Sequence, residues 1–167
     1  MAKFIAGGAA KVPLPKDGLD RGKAKIEGLL SAKGKESPAA IRDELQQTMM
    51  VNCGVFREAK LLQKQLEIIK SLQERYKRIE VGYKGQRFNT ELLDAIELGN
   101  MLDFVEAIVV GGLARTESRG AHHRIDFPKR NDVNWLKHTL AWKTEGGIRL
   151  DYKPVVITRF QPEERKF

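Results

Sequence analysis

Between Asp17 and Leu113 the apolar residues recur every three or four positions in four successive stretches, the period of a helix with one buried face. In the first, Leu19, Ile26, Leu29 and Leu30 share a side until Lys33-Gly34 supplies a stop. The second opens at Ser37-Pro38, where a serine oxygen can accept from free backbone amides and a proline at the first helical position loses no hydrogen bond; Ile41, Leu45, Met49 and Met50 line its inner side. The third runs from Arg57 to Ile79, with Leu62, Leu66, Ile69, Leu72, Tyr76 and Ile79 opposite a face of Lys, Gln and Glu. After the glycine-containing connection VGYKGQRF, Asn89 or Thr90 caps a fourth helix and Glu91 complements its positive end. From Leu92 through Leu113 apolar residues fall on more than one face, which predicts burial nearly all round and a central place in the bundle. Gly111-Gly112 would admit a close backbone neighbour or mark the helix end.

Beyond Pro128 the pattern changes. Trp135, Thr139, Val155 and Ile157 are β-favouring types, and Gly146-Gly147 between extended runs predicts a hairpin. The expected fold is mainly α: an antiparallel helical bundle of about three long helices with a small C-terminal β-hairpin appendage. The expected organisation is a linker or truncation remnant over 1–16, a bundle domain over 17–130, and the β appendage with a charged tail, QPEERKF, over 131–167. In the first segment Phe4 and Ile5 read as the stub of an upstream helix.

At 167 residues, 41% hydrophobic and 31% charged, the chain can bury a core of its own, and its single cysteine, Cys53, rules out an intramolecular disulfide. A small buried residue is the preferred reading of Cys53, and a reducing compartment fits. No apolar run reaches the ~18 residues that suggest a membrane span, and the N-terminus lacks signal-peptide architecture. The formal charge of +8 invites a nucleic-acid reading, but about half the excess lies before Gly34, mixed with Gly and Pro and without aromatic platforms. A solvated basic flank is the better account.

The densest polar stretch, Ala114 to Arg130, begins where the most apolar helix ends. Arg115, Glu117, Arg119, His122, Arg124 and Asp126 are candidates for a paired network, and Gly120 permits a tight turn. Guanidinium forks hold carboxylates and carbonyls in fixed geometry, so a structural or interface network is preferred to an anion site. His122 and His123 are adjacent, and sequence neighbours rarely point to one metal ion.

The segment RTESRGAHHRIDFPKRNDVNWLKHTLAW resembles the signature of succinate dehydrogenase and fumarate reductase flavoproteins, R-x-E-S-R-G-A-H-x-R-x-D-F-P followed by W-x-x-H-(T/S)-L. IRDELQQTMMVNCGVFR, FNTELLDAIELGNML and YKPVVITRFQPEERKF resemble further family segments in the same order, so the likeness runs from about Ala39 to Phe167. His123 stands where the family varies, and Asn131 where aspartate is usual. L-Aspartate oxidase shares an S-R-G-x-H segment but not the continuation from Trp135 to Phe167; an independent basic binding module is the reading outside this class.

The resemblance implies a parent subunit that interconverts succinate and fumarate through FAD and passes electrons to an iron-sulfur subunit. The glycine turn that would cradle FAD phosphates has no counterpart in this chain, and Gly7-Gly8 is not one. The resemblance thus implies a scaffold and docking domain with no catalytic, cofactor-binding or metal residues, and with Arg115, Glu117, Ser118, Arg119, Gly120, His122, Arg124 and Asp126 as signature and interface residues. Its implied partners are the flavin-binding domain of the same subunit, the iron-sulfur subunit and an assembly factor, with no nucleic acid and no direct membrane insertion. The implied location is cytoplasmic, at the inner face of the membrane through the parent complex.

Overall fold

The computed structural model of the chain describes residue 7 and residues 15–163. The linker expected over 1–16, the helix stub at Phe4 and Ile5, and the end of the charged tail lie largely outside the described residues. In chain order the elements are α1 (Gly18–Ser31), α2 (Pro38–Asn52), β1 (Phe56–Arg57), α3 (Ala59–Tyr76), α4 (Thr90–Ala114), β2 (His123–Arg124), α5 (Asp132–Trp135), β3 (Lys137–Thr144) and β4 (Gly147–Pro154). The fold is mainly helical with two small sheets. Among the described residues there are four helices of 14 to 25 residues and one of four, in place of about three long ones.

Local chemistry starts the helices where the pattern predicts. Ser37 Oγ accepts from the Ala40 amide at 3.4 Å, with Pro38 at the first position of α2. Asn89 Oδ1 accepts from the Leu92 amide at 2.8 Å, and its amide nitrogen grips the carbonyls of Tyr83 and Gly85. Two residues on, within the first turn, the Glu91 carboxylate takes the Gly82 and Tyr83 amides, which hold its carboxyl below the usual range. The connection is therefore tied to the start of the helix it feeds.

The side-chain pairings fix the helix directions. Glu44 meets Arg75 while Asn52 meets Gln65, so α2 and α3 run antiparallel. Tyr76 donates to the Ala95 carbonyl at 2.8 Å while Leu62 lies beside Gly112, so α3 and α4 do too. Between them sit Ile41 and Leu45 of α2, Leu62, Ile69 and Leu72 of α3, and Ala95, Leu98, Leu102 and Val109 of α4, closed at one end by Ile79 and Val81. Each large side chain buried this fully contributes about 1.5–3 kcal/mol. Cys53 is buried with this group.

Several sequence expectations are modified. Although α4 does touch α1, α2, α3 and the hairpin, Leu93 and Phe104 remain exposed, so its burial follows one stripe and not the whole circumference. No residue of α1 is buried, and of its apolar stripe only Leu29 packs on the core while Leu19 and Ile26 face outward. No backbone approaches Gly111-Gly112 closely: the nearest atoms at Gly112 are side-chain atoms at an ordinary 3.8 Å, and the tight glycine of α4 is Gly99, where an added Cβ would meet the Tyr76 side-chain hydroxyl at 2.6 Å. α4 continues past both glycines to Ala114.

The hairpin is present, with β3 and β4 antiparallel and Thr144 paired to Gly147 across Glu145-Gly146. Its ends differ from expectation. Trp135 closes the short helix α5, because Asn131 Oδ1 caps the Asn134 amide and winds the chain before β3 begins; Val155 and Ile157 fall beyond β4. Arg57 is also drawn out of the third helix, since β1 pairs in parallel with β2, Phe56 with His123 and Arg57 with Arg124.

Candidate functional site

The last carbonyls of a helix and its first amides lack partners inside the helix. At one end of the bundle these two kinds of terminus meet: α4 finishes at Ala114 and α3 begins at Ala59. Arg124, 1% exposed, points Nη1 at the carbonyls of Gly112, Leu113 and Arg115 at 2.8, 3.1 and 3.3 Å. Its other two nitrogens grip the Asp126 carboxylate, both at 2.7 Å. Asp126 Oδ2 in turn accepts the Ala59 amide at 3.0 Å. The cation thus sits at a negative helix terminus, the anion at a positive one, and the two bind each other. The Arg124 fork is the main reason the Asp126 carboxyl is pulled down to about 2.

A second cluster ties the hairpin to the same end. Glu117, wholly buried, accepts from Arg115 Nη1 at 2.6 Å, from Arg119 Nε and Nη2 at 2.8 and 3.0 Å, and from the Asn131 amide at 2.8 Å. Burial opposes its ionisation, but these donors outweigh it and hold the carboxyl below its ordinary range. Arg115 continues outward to the Trp135 and Lys137 carbonyls at 3.0 and 2.8 Å and to Thr139 Oγ1 at 3.1 Å, the root of β3. Arg119 extends to Asp132, which Arg130 also holds. These two arginines press the Asp132 carboxyl well down.

The loop between the clusters is closed by backbone. Arg119 and His122 exchange both amide–carbonyl bonds, at 2.8 and 3.0 Å, around Gly120, whose φ of +57° a side chain would resist. Ser118 Oγ accepts from the Arg124 amide at 2.9 Å and donates to the Phe127 carbonyl at 2.9 Å. His122 Nδ1 lies 3.1 Å from Arg57 Nη1, and since a guanidinium only donates, Nδ1 accepts. Nε2 therefore carries the proton and faces the Arg115 carbonyl at 3.3 Å. Burial is the main cause that lowers the His122 pKa; the Arg115 carbonyl opposes it, and the charges of Arg57, Arg124 and Arg115 add to the lowering. His123 turns to the other face, edge-on to Phe56. The two histidines have different partners, and no group of three or more metal-ligating side chains occurs among the described residues.

All eight singled-out residues, Arg115, Glu117, Ser118, Arg119, Gly120, His122, Arg124 and Asp126, lie in this one assembly. Sequence reasoning missed Arg57, which sits upstream of a whole helix pair, and Asp132, whose signal was its place between two arginine-bearing segments at the start of α5. The arrangement can clamp helix ends and a hairpin root. The N-terminus of α3, which the two-residue β1 feeds, is occupied by the Asp126 carboxylate. No described helix is long and apolar enough to cross a membrane.

The class so defined is a helical bundle closed at one end by an arginine–carboxylate clasp and followed by a hairpin. Residues 42–167 match the family model described as fumarate reductase flavoprotein C-term, and the chain belongs to that family, as the C-terminal domain of a succinate dehydrogenase or fumarate reductase flavoprotein subunit. The Haemophilus influenzae fumarate reductase flavoprotein subunit is 45% identical over 145 residues, 86% of this chain and 24% of that protein. A Rickettsia bellii succinate dehydrogenase flavoprotein subunit is 36% identical, over 97% of this chain and 27% of that protein. Among solved structures, an Escherichia coli quinol fumarate reductase aligns with a TM-score of 0.86 at 37% identity, covering 97% of this chain and 28% of that one. The chain spans about a quarter of the length of the relatives it matches.

Proposed function

We propose that this chain is the scaffold and docking portion of an FAD-dependent subunit that interconverts succinate and fumarate, and that it contributes no catalytic group itself. The observation that carries the reading is the direction of the signature's charges: Arg124, Arg115 and Glu117 aim their hydrogen bonds at helix ends and the hairpin root of this same domain. A substrate-gripping arginine would instead keep its fork open toward a cleft. In the parent assembly the FAD-binding portion supplies the hydride chemistry and the iron-sulfur subunit takes the electrons. The chain's basic surfaces suit it to contact that subunit and an assembly factor, at the cytoplasmic face of the membrane. Its formal excess of eight positive charges supports such contacts with acidic protein surfaces.

The test needs only purified protein. The isolated chain should be colourless and should reduce no dye with succinate, and fumarate or malonate should bind with a Kd in the millimolar range or weaker, roughly −4 kcal/mol, fading with salt. Stoichiometric flavin in the purified chain, or succinate-dependent dye reduction by it alone, would refute the scaffold reading.

A further inference from the structure

The side of the bundle end that the clasp does not use carries a cluster of apolar side chains with no cover. β1 and β2 are parallel and in register, Phe56 opposite His123 and Arg57 opposite Arg124. Phe56 and His123 share one side of this pair while Arg57 and Arg124 occupy the other, and Ile125, the residue after β2, is held beside β1 by its amide's bond to the Arg57 carbonyl. The Phe56 and His123 rings meet edge to face at 5.3 Å. Phe56 is 64% exposed, Ile125 56% and the adjoining Val55 67%; Met50 and Val51, in the last turn of α2, are exposed to 77% and 71%. Single exposed apolar residues are ordinary, but five within so short a stretch of surface mark a place that another body covers.

The platform beneath is fixed in advance. Arg57 Nε donates to the Gly54 carbonyl at 2.9 Å, its Nη1 to His122, and the Ile125 amide to the Arg57 carbonyl at 2.8 Å, so the outward side chains stand on backbone already held by the clasp. Preorganisation of this kind lowers the entropy lost on docking.

We propose that this face, Val55, Phe56, His123 and Ile125 with Met50 and Val51 beside it, is the seat of the FAD-binding portion of the flavoprotein subunit. The proposal rests on the scaffold reading above and names the surface that reading leaves open. The occupant follows from proportion. In the relatives, this module is one quarter of a chain and a C-terminal one, so the other three quarters are tethered to it. A tethered neighbour is present at an effective concentration of about a millimolar, far above that of any free partner, and an apolar face that needs cover meets it first.

The experiment replaces the aligned quarter of the Haemophilus influenzae subunit with this chain and measures FAD bound per purified protein. Phe56→Asp and Ile125→Asp should each lower FAD-loaded yield about tenfold, as loss of a central apolar anchor does, while Leu19→Asp on the exposed side of α1 changes nothing. In the isolated chain the same two substitutions should lower the melting temperature only slightly, since both side chains are more than half exposed. Unchanged FAD loading in both variants would overturn the assignment of this face while leaving the scaffold reading standing; an unsubstituted hybrid that binds no FAD would defeat the scaffold reading and the face together. Should a variant melt early, benzoylphenylalanine at position 56 of the hybrid decides instead: cross-links into the FAD-binding portion support the proposal, and cross-links to a second copy overturn it.

Discussion

Leu62 and Leu98 in the bundle and Arg124 and Glu117 in the closing segment are all within 1% of complete burial. In the bundle the buried surface is mostly hydrocarbon, with Asn52 and Gln65 paired within it, and its stability is spread over a dozen apolar side chains. In the segment from Arg115 to Asp132 the buried groups are charges, each fixed by several hydrogen bonds at set angles. The first kind of interior tolerates a change of shape and ignores pH. The second fails when one partner is removed, because a charge left buried without its mate costs more than a cavity. The molecule thus joins a forgiving core to an exacting seal.

The largest effect expected from that difference is at Arg124. Replacing it with Ala strands the Asp126 carboxylate and three helix-end carbonyls, a loss of about 3–5 kcal/mol in urea unfolding. Leu62→Ala in the core should cost about 3 kcal/mol, part of it recoverable as neighbours relax into the cavity. The sharper contrast lies in conservative changes. Leu62→Met should cost under about 1.5 kcal/mol, whereas Arg124→Lys, which keeps the charge but loses the fork, should retain little of the clasp. If Arg124→Lys is as mild as Leu62→Met, the seal is no more exacting than the core.

Next in size is Arg119→Ala, at about 1–2 kcal/mol. Its side chain is 28% exposed, and Glu117 retains Arg115 and the Asn131 amide when it goes. Glu117→Gln should exceed it, since one buried amide cannot serve two guanidiniums. A reversed order in thermal melts would mean that the outer pair to Asp132 matters more than the buried carboxylate.

How legible these two regions were in the sequence also differs. The core was readable because helical period writes itself into spacing: Leu45, Leu62, Ile69 and Leu72 fall inward by pattern alone, and residue type marks the cap at Ser37 and narrows the next to Asn89 or Thr90, of which Asn89 makes it. The clasp residues were readable as a list but not as a geometry. Nothing in the order of residues says that Arg124 reaches back to the end of α4 or that Asp126 caps α3, since both bonds depend on how two helices pack. For the same reason Arg57 was assigned to a helix. Its strand exists only because β2 arrives beside it from more than sixty residues downstream. The over-burial expected of α4 has another cause: apolar composition says a face can be buried, not that this domain supplies the cover, and Phe104 and Leu93 were left outside.

The smallest effect, and the one that best separates core from seal, is the response to mild acid. His122 is held neutral with Nδ1 accepting from Arg57, and burial together with the charges of Arg57, Arg115 and Arg124 depresses its pKa below the ordinary 6.5. A depressed histidine stabilises the fold above its unfolded pKa, and the contribution declines as pH falls through that value toward the lower folded one, because the unfolded chain then binds the proton more readily. Asp126, brought down to about 2 chiefly by Arg124, acts in a separate window, its contribution intact above about 4 and lost only as pH falls toward 2. Stability measured between pH 7.5 and 5 should therefore decline gently in the wild type. His122→Gln, which can accept from Arg57 but cannot gain a proton, should flatten that decline while lowering the plateau by a fraction of the Arg124→Ala loss. Leu62→Met should leave the slope untouched, since hydrocarbon does not titrate. An equal slope in wild type and His122→Gln over that range would remove His122 from the seal's electrostatics and leave it a packing residue.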